Sequence, residues 1–154
     1  MNMKADIKLL KKIREESGTG IADCRKALEE SGNDYKKALL WIKKHGIEKA
    51  AKKSDRETSQ GLVEAYIHQG GRVGAMIEIT CETDFVARTD DFKNLAHELA
   101  MQVAAMNPKD VSSLLKQEYI RDGSMKIEDL VKQTIAKLGE NIVIKKISRI
   151  SLGD

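Results

Sequence analysis

The chain has 154 residues, 41% of them hydrophobic, with 27 basic and 24 acidic side chains and a formal net charge of +3. That is enough for one compact domain, or one with a small satellite. The charges are interspersed, as on solvated helix faces, which argues against a nucleic-acid arm; no run reaches transmembrane length, and "MNMKADIKLLKKIREE" is too charged for a signal peptide. Cys24 and Cys81 have no CxxC partner and read as reduced thiols of a cytoplasmic protein.

Residues 4 to 45 predict three short helices. The first carries Ile7, Leu10 and Ile13 on one face and stops at "SGTG", where Gly18 suits a C-terminal cap and Thr19 an N-cap. The second aligns Ile21, Cys24, Ala27 and Leu28 and stops at "SGND", with Asn33 or Asp34 as the next cap. The third aligns Tyr35, Ala38, Leu39 and Ile42 and is expected to end at Gly46. Stripes this short are buried only by packing the three helices together, so residues 1–46 are expected to form a bundle. Residues 47–59, "IEKAAKKSDRETS", lack a wide apolar face and read as a partly helical linker.

The period then changes to alternation, opening an expected core domain over 60–154. In "GLVEAYIHQ", Val63, Ala65 and Ile67 point one way and Glu64, Tyr66 and His68 the other. Gly70 and Gly71 suit a hairpin turn. In "RVGAMIEITCE", Val73, Ala75, Ile77, Ile79 and Cys81 alternate with Gly74, Met76, Glu78 and Thr80. A lone hairpin is marginal in water and needs more strands or a covering helix. Thr89 or Asp90 caps a helix bearing Phe92, Leu95, Ala96, Leu99, Val103 and Met106; Pro108 follows its end. A short helix is expected around Leu114, and a longer one carries Ile127, Leu130, Val131, Ile135 and Leu138 up to Gly139. "NIVIKKISRI" predicts a third strand through Ile142, Ile144, Ile147 and Ile150, with a phase slip at its two lysines. The expected fold class is α+β: a three-helix bundle joined to a three-stranded antiparallel sheet with helices on one face.

Motifs for catalysis are missing. "GTGIAD" lacks a third glycine and follows a helix, so it is no dinucleotide fingerprint, and no GxxxxGK[ST] occurs. His45, His68 and His97 stand apart, and no Cys or His cluster has zinc spacing. The reading is of a non-enzyme without cofactor or metal. "KKIREE" and "AAKKSDR" are basic, but acids are interleaved and no aromatics stand ready to stack bases, so no direct nucleic-acid contact is expected. "CETDFVAR", residues 81 to 88, places one of only two phenylalanines beside an acid where a strand gives way. Two readings stand side by side: Phe85 and Val86 anchor the segment into their own core, or Phe85 is a wedge for a partner.

Four ordered stretches carry a resemblance: "LLKKIREESGTGIADCRKALEESGNDYKKALLWIKKHG", "EKAAKKSDRETSQGLV", "CETDFVARTDDF" and "AKLGENIVIKKI". Together they resemble the elongation factor Ts family of translation factors, in order a ubiquitin-associated-type helical module, a linker, the central motif and a helix-to-strand signature. The resemblance implies guanine-nucleotide exchange on the GTPase elongation factor Tu. It makes Thr83, Asp84, Phe85 and Val86 the element that enters the partner near its bound magnesium. It makes Ile21 and Ala22, in the loop after the first helix, a second contact. The chain has room for one core repeat, and "NPKDVSSLLKQEYIRDGS" is compressed even for a short form. A single repeat implies a homodimer through the core sheet. The alternatives are a ubiquitin-associated-type adaptor without exchange activity and a ribosome- or RNA-associated protein; "TDFVA" and "LGENI" speak against the adaptor, which needs neither.

Overall fold

The computed structural model describes residues 3–154; the first two residues of the expected 1–46 module lie outside them. Within this span the chain order is α1 (Ile7–Ser17), α2 (Ile21–Glu30), α3 (Tyr35–Ala51), β1 (Gln60–Ile67), β2 (Val73–Cys81), α4 (Asp84–Ala87) and α5 (Asp90–Met106). There follow α6 (Val111–Lys116), β3 (Glu118–Tyr119), β4 (Asp122–Lys126), α7 (Ile127–Leu138) and β5 (Ile142–Ser151). The fold is α+β.

The first three helices close around Ile13, Cys24, Ala27, Leu28, Ala38 and Ile42. Asp6 caps α1 by accepting from the Leu9 amide at 2.9 Å, and Asp34 caps α3 by accepting from the Lys37 amide at 3.0 Å. Asn33 caps no helix. Its side chain accepts from the Asp6 amide at 2.9 Å and donates to the Lys4 carbonyl at 3.0 Å, fastening the start of the chain to the α2–α3 turn. Thr19 is not the cap of α2. Gly20 holds that position without a side-chain bond, and the Thr19 amide donates to Ser17 Oγ at 3.2 Å.

Gly46 does not end α3, which runs on to Ala51. A Cβ at Gly46 would stand 3.2 Å from Cβ of Ala136, so the missing side chain lets α3 approach α7 closely. The glycine serves packing between helices, at the modest helix-propensity cost of an interior glycine. The far end of α3 carries Ala50 into the second core.

That core lies between the sheet and α5 and α7, with Phe92, Leu99, Ile77, Ile79 and Ile127 fully or almost fully buried. Strand order is β1-β2-β5, antiparallel throughout. The predicted phase slip is a bulge. Glu78 pairs with Lys146 and Ile79 with Ile144, leaving Lys145 as the extra residue. After the bulge Ile147 faces inward but Ile150 does not; it is 76% exposed, contrary to the expected apolar row. In its place Arg149 reaches in and donates from Nε to the Ala104 carbonyl at 3.0 Å.

The two faces of β1 alternate as expected, and their sense is set by the sheet. Leu62, Glu64 and Tyr66 sit half-buried toward the helices, while Val63, Ala65 and Ile67 are exposed on the outer face. Pairing of Tyr66 with Ala75 and of Leu62 with Ile79 fixes this, because β2 commits Ala75, Ile77, Ile79 and Cys81 to the core. The β3–β4 hairpin is an addition to the expected fold. The buried Gln102 holds it, donating to the Gln117 side chain at 3.2 Å and the Glu118 carbonyl at 3.0 Å and accepting from the Ile120 amide at 3.0 Å.

Candidate partner-binding site

Strand β2 stops at Cys81, and the chain turns at once into α4, a single helical turn rather than a loop. Thr83 is its N-cap, with Oγ1 accepting from the Val86 amide at 3.3 Å. Four residues make no stable helix by themselves. Ala87 is buried, and the half-buried Val86 packs against the core. These two residues anchor the turn. Phe85 is not an anchor: it is 84% exposed, more than any other large hydrophobic side chain among the described residues. The core-anchor reading of this motif thus holds for Val86 and fails for Phe85. Asp84 stands exposed beside it, ion-paired along the turn to Arg88.

The turn is tied to the start of β5. Gly139, with φ of 79°, ends α7 in the left-handed conformation that glycine adopts without strain. The next residue, Glu140, reaches back to Thr83: its Oε1 accepts from the Thr83 amide at 2.9 Å and its Oε2 from Thr83 Oγ1 at 2.7 Å. Glu82 answers in the other direction, its Oε1 accepting from the Asn141 amide at 2.9 Å and from Arg56 at 3.5 Å. The buried Asn141 side chain donates to the carbonyls of Arg56 at 2.8 Å and Ser54 at 3.4 Å. Cys81 and Ile142 are the last paired residues of the β2–β5 ladder. Beyond them, carboxylates from each strand take the other strand's amides.

Cys81 is fully buried under this corner, and its Sγ donates to the Thr83 carbonyl at 3.1 Å. Burial, aided by the charge of Glu140, pushes the thiol from its ordinary 9.0 up to about 11. The folded state therefore holds the thiol proton more tightly than the unfolded state. The stability this contributes is complete below pH 9 and declines as pH rises from 9 toward about 11. Unfolding free energies across that interval should fall more steeply for the native protein than for Cys81→Ala. Parallel slopes would contradict the assignment.

Ile21 and Ala22 are both exposed, Ile21 by 45%, and they form the first turn of α2 rather than the preceding loop. Gly18 in that loop lies against the Lys137 side chain, whose Nζ is 3.2 Å from Asp91. The α1–α2 loop and the Thr83 turn thus both border the C-terminal end of α7, one touching Lys137 and the other held by Glu140. Sequence reasoning singled out Thr83, Asp84, Phe85 and Val86, and Ile21 with Ala22. It missed Glu82, Glu140 and Asn141 as individual residues, although "LGENI" carried two of them.

Among the described residues no cluster of His, Cys, Asp or Glu has the arrangement of a metal site, and no helix is long and apolar enough to cross a membrane. What the geometry presents is an exposed apolar ring beside an exposed carboxylate on a capped turn. The class of fold is thus an α+β core with a helical satellite. The Elongation factor TS family model matches residues 82–154, from the clamped corner onward. The chain is 40% identical to elongation factor Ts of Coprothermobacter proteolyticus over 197 aligned positions, spanning 99% of this chain and all of the relative. It is 40% identical to that of Thermoanaerobacter sp. strain X514, over 94% of this chain and 93% of the relative. It is 47% identical to that of Nostoc sp. PCC 7120, over 96% of this chain but 46% of the relative. The chain belongs to the elongation factor Ts family. The Coprothermobacter alignment is longer than this 154-residue chain, so that relative contains residues with no counterpart here.

Proposed function

We propose that the protein is a guanine-nucleotide exchange factor for elongation factor Tu, acting in the cytoplasm and making and breaking no covalent bond. One observation carries the reading: within the family-matched segment, Phe85 stands 84% exposed on a turn held by Thr83, Val86 and Ala87. An exposed aromatic on a rigid mount is the usual form of an interface anchor. Phe85 enters an apolar pocket of the GTPase and moves the elements that hold its magnesium. Asp84 brings a negative charge to the same place. Magnesium is the largest local charge in such a nucleotide site, so its displacement loosens GDP. Thr83 and Val86 hold the turn, while Ile21 and Ala22 make a second contact from the helical module. Residues 1–46 and 60–154 thus act as two contact modules joined through 47–59.

Exchange is reciprocal: the factor and GDP weaken each other's binding to the GTPase equally, by about 1–3 kcal/mol in typical coupled sites. Incoming nucleotide then helps to expel the factor. Adding the protein to elongation factor Tu loaded with fluorescent GDP should speed release of the label. An unchanged release rate would return the chain to the adaptor reading.

The outer face of the sheet supports a second part of the proposal. Val63, Ile67, Met76 and Ile150 are each more than half exposed on it, and Leu152 extends the patch. A sheet with one bare apolar face is suited to self-association, and we propose a homodimer through this face. Sedimentation at micromolar protein should show a dimer that Met76→Glu converts to monomer. A monomeric native protein would contradict it.

A further inference from the structure

We propose that Glu140 is a positioning residue for the Phe85 turn, completing in trans the cap that the turn's own sequence cannot make; this rests on the exchange reading above. A reciprocal helix cap normally needs an acid or amide three residues after the capping Ser or Thr, reaching back to the cap's own amide. After Thr83 that third residue is Val86, which has no acceptor. The role passes to Glu140, 57 residues onward, whose Oε1 takes the Thr83 amide at 2.9 Å.

Its second oxygen does more. A threonine hydroxyl has one proton and two lone pairs. Because Oε2 of Glu140 accepts that proton at 2.7 Å, the lone pairs of Oγ1 are left to face the Val86 amide, which donates at 3.3 Å. Glu140 therefore sets the direction of the hydroxyl as well as the place of the backbone. Both bonds involve a charged acceptor, the stronger class of hydrogen bond. The carbonyl of Thr83 is held separately, by the Cys81 thiol at 3.1 Å and the Ala87 amide at 3.3 Å, but its amide and hydroxyl proton rely on Glu140. Without the clamp, Thr83 and Asp84 fray and the ring of Phe85 samples many directions. With it, the wedge is in place before the partner arrives, and less ordering is left to the encounter.

The test uses the full chain with Glu140→Ala and Glu140→Gln. Glutamine keeps an acceptor for the Thr83 amide and presents an N–H to Thr83 Oγ1. Amide hydrogen exchange read by NMR should show protection at Thr83 and Val86 falling by about tenfold or more in Glu140→Ala, which removes both charge-assisted bonds. Protection at the core residues Ile77 and Ile79 should stay native, reporting an intact sheet. In the GDP-release assay Glu140→Ala should need about tenfold more protein for half-maximal acceleration, and Glu140→Gln should recover most of both losses. Unchanged protection at Val86 in Glu140→Ala overturns the positioning role. So does lost protection with native exchange activity, or a glutamine variant as impaired as the alanine one. Were the native chain itself inactive on elongation factor Tu, the exchange reading would fall. The protection data alone would then decide whether Glu140 orders the turn.

Discussion

Phe85→Ala should abolish most of the acceleration of GDP release while leaving the protein as stable as the native chain. The ring is 84% exposed, so its removal takes little from the fold. Surface substitutions of this kind usually stay within about 0.5 kcal/mol. Under the proposed mechanism the same ring is the one large apolar group that Thr83, Val86 and Ala87 hold out toward the partner. Interface anchors of this type contribute about 2 kcal/mol or more, roughly thirtyfold in affinity or rate. Stopped-flow release of fluorescent GDP measures the loss, and thermal unfolding followed by circular dichroism measures the retained fold. A variant with native activity would remove Phe85 from the mechanism. A variant that unfolds would show the ring to be structural after all.

Phe92→Ala should do the opposite. This second phenylalanine stands only seven residues further on, yet it has no solvent exposure and lies within the sheet-facing core with Leu95, Leu99 and Ile79. Its amide donates to Thr89 Oγ1 at 3.2 Å, so it belongs to the first turn of α5, where the helix meets the sheet. Emptying such a site costs about 3–5 kcal/mol, the lost transfer energy of the ring plus the cavity left behind. Small domains are stable by only about 5–15 kcal/mol in total. Denaturant unfolding should therefore show a large fall in midpoint, with exchange activity lost in proportion to the unfolded fraction. A loss below about 1 kcal/mol would mean that the core closes over the gap. The pair of variants tests two uses of one residue type: the proposed partner contact of the exposed Phe85 and the core packing of the buried Phe92.

Much of this architecture is legible where local chemistry decides it. Asp34 and Thr89 cap the helices that their positions announce, and Gly18 and Gly139 end helices in the left-handed conformation. The slip at Lys145 and Lys146 is visible as a break in alternation and becomes the β5 bulge. What the sequence hides is settled by distant partners. Gly46 looks like a helix stop until Ala136 is seen beside it. Alternation puts Val63, Ala65 and Ile67 on one face without saying which, and the register with β2 turns it outward. The β3–β4 hairpin has too little alternation to be read and depends on Gln102, well before it in the chain. At the candidate site the motif itself is legible, lying where the family match begins. The exposure of Phe85 is not, because a phenylalanine after a strand is equally at home inside. Nor is the clamp, since nothing local links Thr83 to a glutamate 57 residues away.

These hidden contacts share a direction. Glu82, Glu140, Asn141 and Arg56 join the segment before β1, the end of β2 and the start of β5 at one corner, and the wedge projects from it. Close packing of α3 on α7 brings the helical module to the same helix that ends at this corner. The fold thus supplies a stiff base for a small exposed element, an arrangement suited to pushing on another protein's site.

The most direct measurement is GDP release from elongation factor Tu across a range of free magnesium, with and without the native protein. If the Asp84–Phe85 element acts through the magnesium site, acceleration is large when magnesium is plentiful and shrinks toward none when the ion is chelated. Acceleration by the same factor at every magnesium concentration, or at none, would contradict a mechanism that runs through the metal.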